Sequence, residues 1–382
     1  MPRRPSATLT STALAAVAGL LAVSLPAGET TAATSDLTAA RAGVASTTAS
    51  AVDPAAWGSR RLAAQLVISC VDMAHLDRAR RQVAAGIGAV TLLGTPPADL
   101  RAELHAVRDA APGRVRPFVA SDEEGGLVQR LRTAIYRLPS AATMGTWRPA
   151  RVRRTAEAYA TRMRRLGVRM DLAPVADLAV KGGYIDDLHR AFARDPDRVA
   201  RLVRAWRLGM ADAGVVTVVK HWPGHGAASG DSHLGQARVP PLDVLEGRDL
   251  VPFDRELADG APVVMVGHLL SAGLTRNGVP TSLSRPALRY LRDSASPGTV
   301  VMTDSLAMAA VTSALGISTA QATVRALRAG ADWAMACDAR PMRAVAAVRD
   351  ALDDGRLPRA RAVTSAQRIL DLKAAWGLAP SR

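Results

Sequence analysis

Short apolar runs rich in Val, Ile, Leu and Ala recur along the chain: QLVISC ending at Cys70, AVTLLG at Gly94, RPFVAS at Ser121 and RMDLAP at Pro174. The series continues with VVTVVK at Lys220, PVVMVGH at His268, TVVMTD at Asp304 and DWAMAC at Cys337. Continuous apolar runs of this length predict strands buried on both faces. Between them lie stretches of helical period, among them RTAEAYATRMRRLG and DRVARLVRAWRLGMADAG, each closed by the Gly that ends many helices. Eight such strands alternating with helices, in one composition regime, predict a single (β/α)8 TIM barrel over residues 53–382. An open doubly wound sheet is the competing topology, and no G-x-G-x-x-G follows any of the strands to support it.

The pattern is different at the start of the chain. Arg3 and Arg4 precede an apolar run from Ala13 to Leu25 and small residues that offer cleavage after Ala27 or Ala33. Residues 1–33 therefore read as a secretory signal, the apolar run being shorter than the ~20 residues a spanning helix needs. Residues 34–52, mostly Ala, Thr and Ser, read as a flexible linker. A secreted or cell-wall-associated protein follows, with no transmembrane helix once the signal is removed.

Composition narrows the partners. The formal charge is +15, but the arginines are spread along the chain and aromatic residues make up only 3%. That distribution argues for a solvated basic surface rather than nucleic-acid binding, and for electrostatic association with anionic wall polymers. A monomer without cofactor is expected. Of 49 basic residues only Lys181, Lys220 and Lys373 are lysine, so a lysine at 220 beside a histidine cluster points to a role arginine fills badly.

In a barrel of this kind, reacting groups sit at the C-terminal ends of the strands. Those ends carry Ser121-Asp122-Glu123-Glu124, Lys220-His221, His268 and Asp304. Asp304 is placed for covalent attack on an electrophilic carbon, or equally for capping the helix that follows. Asp231 and His233, two apart in a glycine-containing loop with Gly224, Gly226 and Gly230, form either a proton-shuttling pair on a mobile lid or an Asx-turn with an exposed ring. Asp122 and Arg130 are of the residue types that clamp sugar hydroxyls, or belong to a merely solvated, carboxylate-rich turn, and Arg190 is a third clamp or simply a helix-start charge. Lys220 and His221 are donors to such hydroxyls, and His225 is read as stabilising its turn. His221, His268 and Asp304 also raise a metal-dependent hydrolase, although the first strand reads Ile68-Ser69-Cys70 where an H-x-H pair is common in such barrels.

Taken together these segments resemble the single-domain β-N-acetylhexosaminidases of glycoside hydrolase family 3. The family's K-H-F-P-G-H-G, four residues, then D-S-H is met by Lys220 to Gly226 and Asp231 to His233. Its D-x-E-G-G-x-V-x-R is met by Asp122, Glu124, Gly125, Gly126, Val128 and Arg130, its R-S-F by Arg190-Ala191-Phe192, and its T-D-x-L-x-M by Thr303 to Met308. Trp222 replaces the usual Phe, Ala227-Ala228 a common Asp-Thr or Asp-Ser, and Ala191 and Ala193 a Ser and a Gly; none of these removes a catalytic group.

The resemblance implies a retaining β-N-acetylglucosaminidase. Asp304 would be the nucleophile and His233 the acid/base assisted by Asp231, while Asp122, Arg130, Arg190, Lys220 and His221 would hold the terminal sugar. Muropeptides, chitin fragments and other β-GlcNAc glycosides all remain open as substrates, as does phosphate in place of water. A wall-binding protein that keeps the sugar clamp without the chemistry is the alternative from another class. Strands one and eight adjoin in a closed barrel and end in Cys70 and Cys337, so an oxidising exterior predicts a disulfide between these two.

Overall fold

The computed structural model describes residues 49–381, so the signal expected over residues 1–33 lies outside the described residues. Eight parallel strands form the barrel: β1 (Val67–Asp72), β2 (Ala89–Leu93), β3 (Phe118–Ser121), β4 (Met170–Asp171), β5 (Val216–Trp222), β6 (Val263–Val266), β7 (Val300–Ser305) and β8 (Trp333–Ala336). Each pairs with its sequence neighbour, and β8 closes on β1 in the register Val67↔Ala334, Ser69↔Ala336. All eight coincide with the apolar runs, and the open-sheet topology does not form.

The fourth strand is the shortest. Leu172 still donates its N–H to Ser121 and Val218 donates to Ala173, but Pro174 has no donor to continue the ladder. The chain leaves the barrel wall there and rejoins it through a single bridge between Val175 and Lys220.

Helix boundaries follow local chemistry. The helix Pro196–Asp212 begins where the Asp195 carboxylate accepts the Arg198 N–H at 2.6 Å, with Pro196 in its first turn. The helix Pro149–Leu166 ends at Gly167, whose φ of 100° suits glycine. These two helices pack closely because residue 209 is Gly: a Cβ there would sit 2.1 Å from the Arg153 carbonyl oxygen. The helix Thr319–Ala329 carries a reciprocal capping box between Ser318 and Gln321.

Apolar side chains of the strands fill the interior, and Phe118 meets Trp333 edge-to-face across it. Cys70 of β1 and Cys337, one residue past β8, are joined as a disulfide, with Cα atoms 4.7 Å apart. On the opposite, N-terminal face the first and last segments of the described residues meet. Ser50, inside the stretch read as linker, is buried, donates its backbone N–H to Asp371 at 2.7 Å and bridges to Ser381. None of the described helices is long and apolar enough to cross a membrane.

That same face is held by one carboxylate. Asp332, fully buried just before β8, accepts from Arg361 at 3.2 Å, Arg368 at 3.1 Å, Ser365 at 2.9 Å and the Val301 N–H at 3.1 Å, and it also pairs with Arg292. Burial would raise its pKa, but the three guanidiniums hold it below the ordinary carboxylate value. Removing it would strand three cations around a buried void. Asp332→Ala is therefore expected to lose about 3 kcal/mol of stability, read as a lower urea midpoint in equilibrium unfolding; an unchanged midpoint would show that the hub is not structural.

Candidate active site

The strands deliver their polar ends to a cavity of about 340 Å³ at the C-terminal mouth, lined among others by Asp122, Glu124, Arg130, Arg190, Lys220, His221, His233 and Asp304. Seven of the eight residues proposed from sequence for chemistry or sugar binding thus share one cavity; Asp231 stands directly behind His233.

At one wall is a buried charge cluster. The Lys220 ammonium lies 2.7 Å from both an Asp122 oxygen and a Glu124 oxygen. Arg190 grips the same Glu124 carboxylate through Nε and Nη2, each at 2.8 Å. Two cations and two carboxylates therefore balance. Burial opposes every charge, yet the mutual attraction holds Glu124 well below the carboxylate range and raises Lys220 and Arg190 above their ordinary values. Arg190 thus reaches the cavity already paired, by way of a residue the sequence reading did not single out. Glu124 had a legible signal, as the Glu of D-x-E-G-G, but a solvated, carboxylate-rich turn was an equally open reading of that segment. It is in fact a small hairpin, Glu123–Gly125 paired antiparallel with Val128–Gln129, with Gly126 at φ 61° in its turn.

His221 is set by Asp177, also missed from sequence. Asp177 lies 2.7 Å from Nδ1 of His221 and accepts the backbone N–H of His221 at 3.2 Å and of His225 at 2.7 Å. One buried carboxylate thus fixes both the ring and the turn that follows it. His225 is buried and reaches along the loop, its Nε2 3.1 Å from Ser232 Oγ. The Ser232 carbonyl in turn accepts the Ala310 N–H at 3.2 Å, so the loop is docked on the segment after β7. At its base, Ser229 donates its N–H to the Arg238 carbonyl at 2.8 Å and its hydroxyl accepts the Arg238 N–H at 3.0 Å. Serines 229 and 232 supply the fixings in a loop where Ala227-Ala228 replaces polar residues.

This docking presents Asp231 and His233. His233 Nδ1 lies 2.7 Å from Asp231 Oδ1, and the same oxygen accepts the His233 backbone N–H at 2.9 Å. Partial burial of Asp231 is outweighed by these His233 donors, and its pKa falls. The Asx-turn and the charge-orienting pair, alternatives in the sequence, are one arrangement here. The ring's side chain is 59% exposed at the cavity mouth, where a proton can pass to an entering oxygen. Tyr184, on the short helix Tyr184–Asp187, lines the cavity beside it, ring centroids 6.5 Å apart.

Asp304 accepts the Ser305 N–H at 2.7 Å and starts no regular helix in the described structure. Burial alone would raise its pKa. The imidazoles of His221 and His268, the Ser305 N–H and the Lys220 ammonium together hold it at about 2, so the carboxylate is ionised. His268 is fully engaged: Nδ1 lies 2.7 Å from Ser282 Oγ and Nε2 2.8 Å from the Ser305 carbonyl. It braces the Asp304 strand end and has no ring nitrogen to spare for a metal ion. Two buried polar atoms of cavity-lining residues, Arg130 Nε and Thr91 Oγ1, have no partner among the described residues. Thr91 was not foreseen, since nothing marks a threonine in mid-strand.

A parallel-stranded barrel whose mouth combines an ionised carboxylate, an Asp-oriented histidine and a charge-paired clamp defines a class of hydrolase that cleaves polar, hydroxyl-rich substrates. Comparison with known proteins gives the family. Residues 68–372 match the glycosyl hydrolase family 3 N-terminal domain. The chain is 42% identical over 276 residues to the beta-hexosaminidase LpqI of Mycobacterium tuberculosis, covering 69% of this chain and 70% of that protein. It is 38% identical over 267 residues to a beta-hexosaminidase of Thioalkalivibrio sulfidiphilus, covering 67% and 73%. A solved family 3 glycosyl hydrolase from Mycobacterium smegmatis superposes with a TM-score of 0.78 at 35% identity, covering 87% of this chain and all of that one. A family 3 β-N-acetylglucosaminidase from a Paenibacillus strain gives 0.77 at 27% identity, covering 85% and 63%. The chain belongs to glycosyl hydrolase family 3 and is a glycosidase.

Beneath the charge cluster two further carboxyls are buried. Glu123 accepts from Ser121 Oγ at 2.5 Å, Tyr159 OH at 2.6 Å and the Leu131 N–H at 3.1 Å, and Asp171 accepts from Trp206 Nε1 at 3.0 Å. Desolvation dominates in both, raising Glu123 to about 7 and Asp171 well above its ordinary value. The folded state therefore holds protons that the unfolded state has released by neutral pH. Their contribution to stability is present below the unfolded carboxylate pKa and is lost as pH rises through the folded value. Thermal stability is expected to fall between about pH 5 and pH 8, and to fall less steeply in Glu123→Gln. Parallel melting-temperature profiles of the two proteins check this, and an identical slope would refute the role of Glu123.

Proposed function

We propose that the protein removes terminal, non-reducing β-linked N-acetylglucosamine with retention of configuration, through a covalent intermediate on Asp304. The observation that carries this reading is the ionised Asp304 at a cavity whose mouth holds His233, already oriented by Asp231. The beta-hexosaminidase relatives and the β-N-acetylglucosaminidase neighbour support the choice of sugar.

An Asp304 oxygen attacks the anomeric carbon as the bond to the leaving oxygen breaks, and that oxygen takes a proton from His233. The Asp231 carboxylate stabilises the imidazolium from which this proton comes. In the second step His233, now neutral, takes a proton from water; the water oxygen bonds to the anomeric carbon and Asp304 is released as carboxylate. Two inversions give net retention. Asp122, Arg130, Arg190, Lys220 and His221 hold the sugar hydroxyls, with Lys220 and Arg190 kept in place by Glu124.

The amino-terminal apolar run and the basic surface support export to a cell-wall setting, where β-GlcNAc-containing wall fragments are the substrate class. The test is hydrolysis of 4-nitrophenyl N-acetyl-β-glucosaminide beside the corresponding glucoside. The first is expected to be cleaved well and the second poorly, with the β-anomer formed first by proton NMR. Asp304→Ala is expected to lose at least ~10³-fold in kcat, and His233→Ala ~10²- to 10⁴-fold. An α-anomer as first product would overturn the double displacement, and folded protein inactive on both sugars would overturn the glycosaminidase reading.

A further inference from the structure

On the outside of the barrel, toward the face opposite the catalytic mouth, a second concavity of about 740 Å³ lies between the helices Arg285–Ser294, Thr319–Ala329 and Arg359–Ala375. Its lining contains seven arginines and no acidic side chain. Three of the seven, Arg292, Arg361 and Arg368, are those gathered by Asp332, and each is tied to backbone carbonyls as well. Arg292 donates to Thr299 at 2.7 Å, Arg361 to Ala331 at 2.9 Å and Arg368 to Pro297 at 3.0 Å. One buried carboxylate neutralises one of these three charges, so two remain on guanidiniums whose positions are already fixed.

The hub accounts for those three arginines and for none of the other four. Arg285 and Arg328 are exposed on the rim and have no carboxylate partner among the described residues. Arg289 has only Asp293, at 3.9 Å, and Arg356 pairs with the exposed Asp354 at 2.7 Å. Like charges in one hollow repel. A concavity that keeps them together on a rigid frame is arranged for a ligand that brings the missing negative charge.

We propose that this concavity is a binding site for a polyanion that carries successive phosphates along a chain, separate from the catalytic cavity. Guanidinium forks approach it from three different helices. The oxygens of a tetrahedral phosphate meet such convergence better than the two coplanar oxygens of a carboxylate. A hollow of this volume, with a rim of further arginines, takes successive phosphates of a chain rather than one ion. The site anchors the barrel to a phosphate-bearing polymer by the face away from its mouth.

The test uses linear polyphosphate as probe, titrated into the protein at low ionic strength and followed by calorimetry. Arg285→Gln/Arg328→Gln is expected to weaken binding by roughly tenfold with melting temperature and hexosaminide hydrolysis unchanged. Arg154→Gln/Arg201→Gln, which removes the same charge from exposed positions on other helices, is expected to change it little. Equal loss in both variants, or none in the first, would show that the +15 surface binds diffusely and would overturn the site. Polyglutamate bound as tightly as polyphosphate would overturn the phosphate assignment, and inorganic phosphate bound as tightly would overturn the polymer. Should the first variant melt early, Arg328→Gln alone carries the same comparison.

Discussion

The cavity at the barrel mouth depends on the burial of Lys220 and Glu124 together. Either charge alone would be too costly to hold in a dry barrel wall. Paired, and joined by Asp122 and Arg190, they form a balanced group that shapes the cavity. The choice of lysine follows from geometry. An ammonium is a compact point charge with three donors, able to approach two carboxylates at 2.7 Å each, whereas a planar fork engages one carboxylate edge-on, as Arg190 does. In a chain that otherwise uses arginine almost throughout, Lys220 is where the flat cation does not fit.

A second layer of carboxylates sets the donors. Asp177 fixes His221 and the start of the loop, Asp231 fixes His233, and His225 links the two by holding Ser232. The loop is thus secured at its root by the distant Asp177, within itself by the His225–Ser232 contact, and near its tip by the Ala310 N–H on the Ser232 carbonyl. His268 plays the corresponding part for Asp304, joining the β6 and β7 ends through Ser282 and the Ser305 carbonyl.

Much of this was legible in the sequence, for physical reasons. Strands buried on both faces are written as unbroken apolar runs, so all eight could be read, and closure of the ring then set Cys70 beside Cys337. Polar residues that line the cavity sit where those runs stop, which exposed Lys220, His221 and Asp304. What stayed hidden are the supports. Glu124 and Asp177 act through pairing with residues 66 and 44 positions away, and no local pattern encodes such partners. The burial of the turn after Asp122 was hidden because acidic residues beside glycines look solvated, whereas Glu123 and Glu124 are buried. The brevity of β4 was likewise obscured, since the apolar run continues to Pro174 after the ladder has stopped.

Ser50 and Ser381 pair on the face of the barrel away from the mouth. Their juxtaposition makes the fold a candidate for circular permutation, since a short peptide would join the two positions without crossing the catalytic cavity. It also gives a single point of attachment for immobilisation. Molecules coupled to a surface at either of these two positions would all stand with the mouth outward, and a layer of them would present that mouth in one orientation.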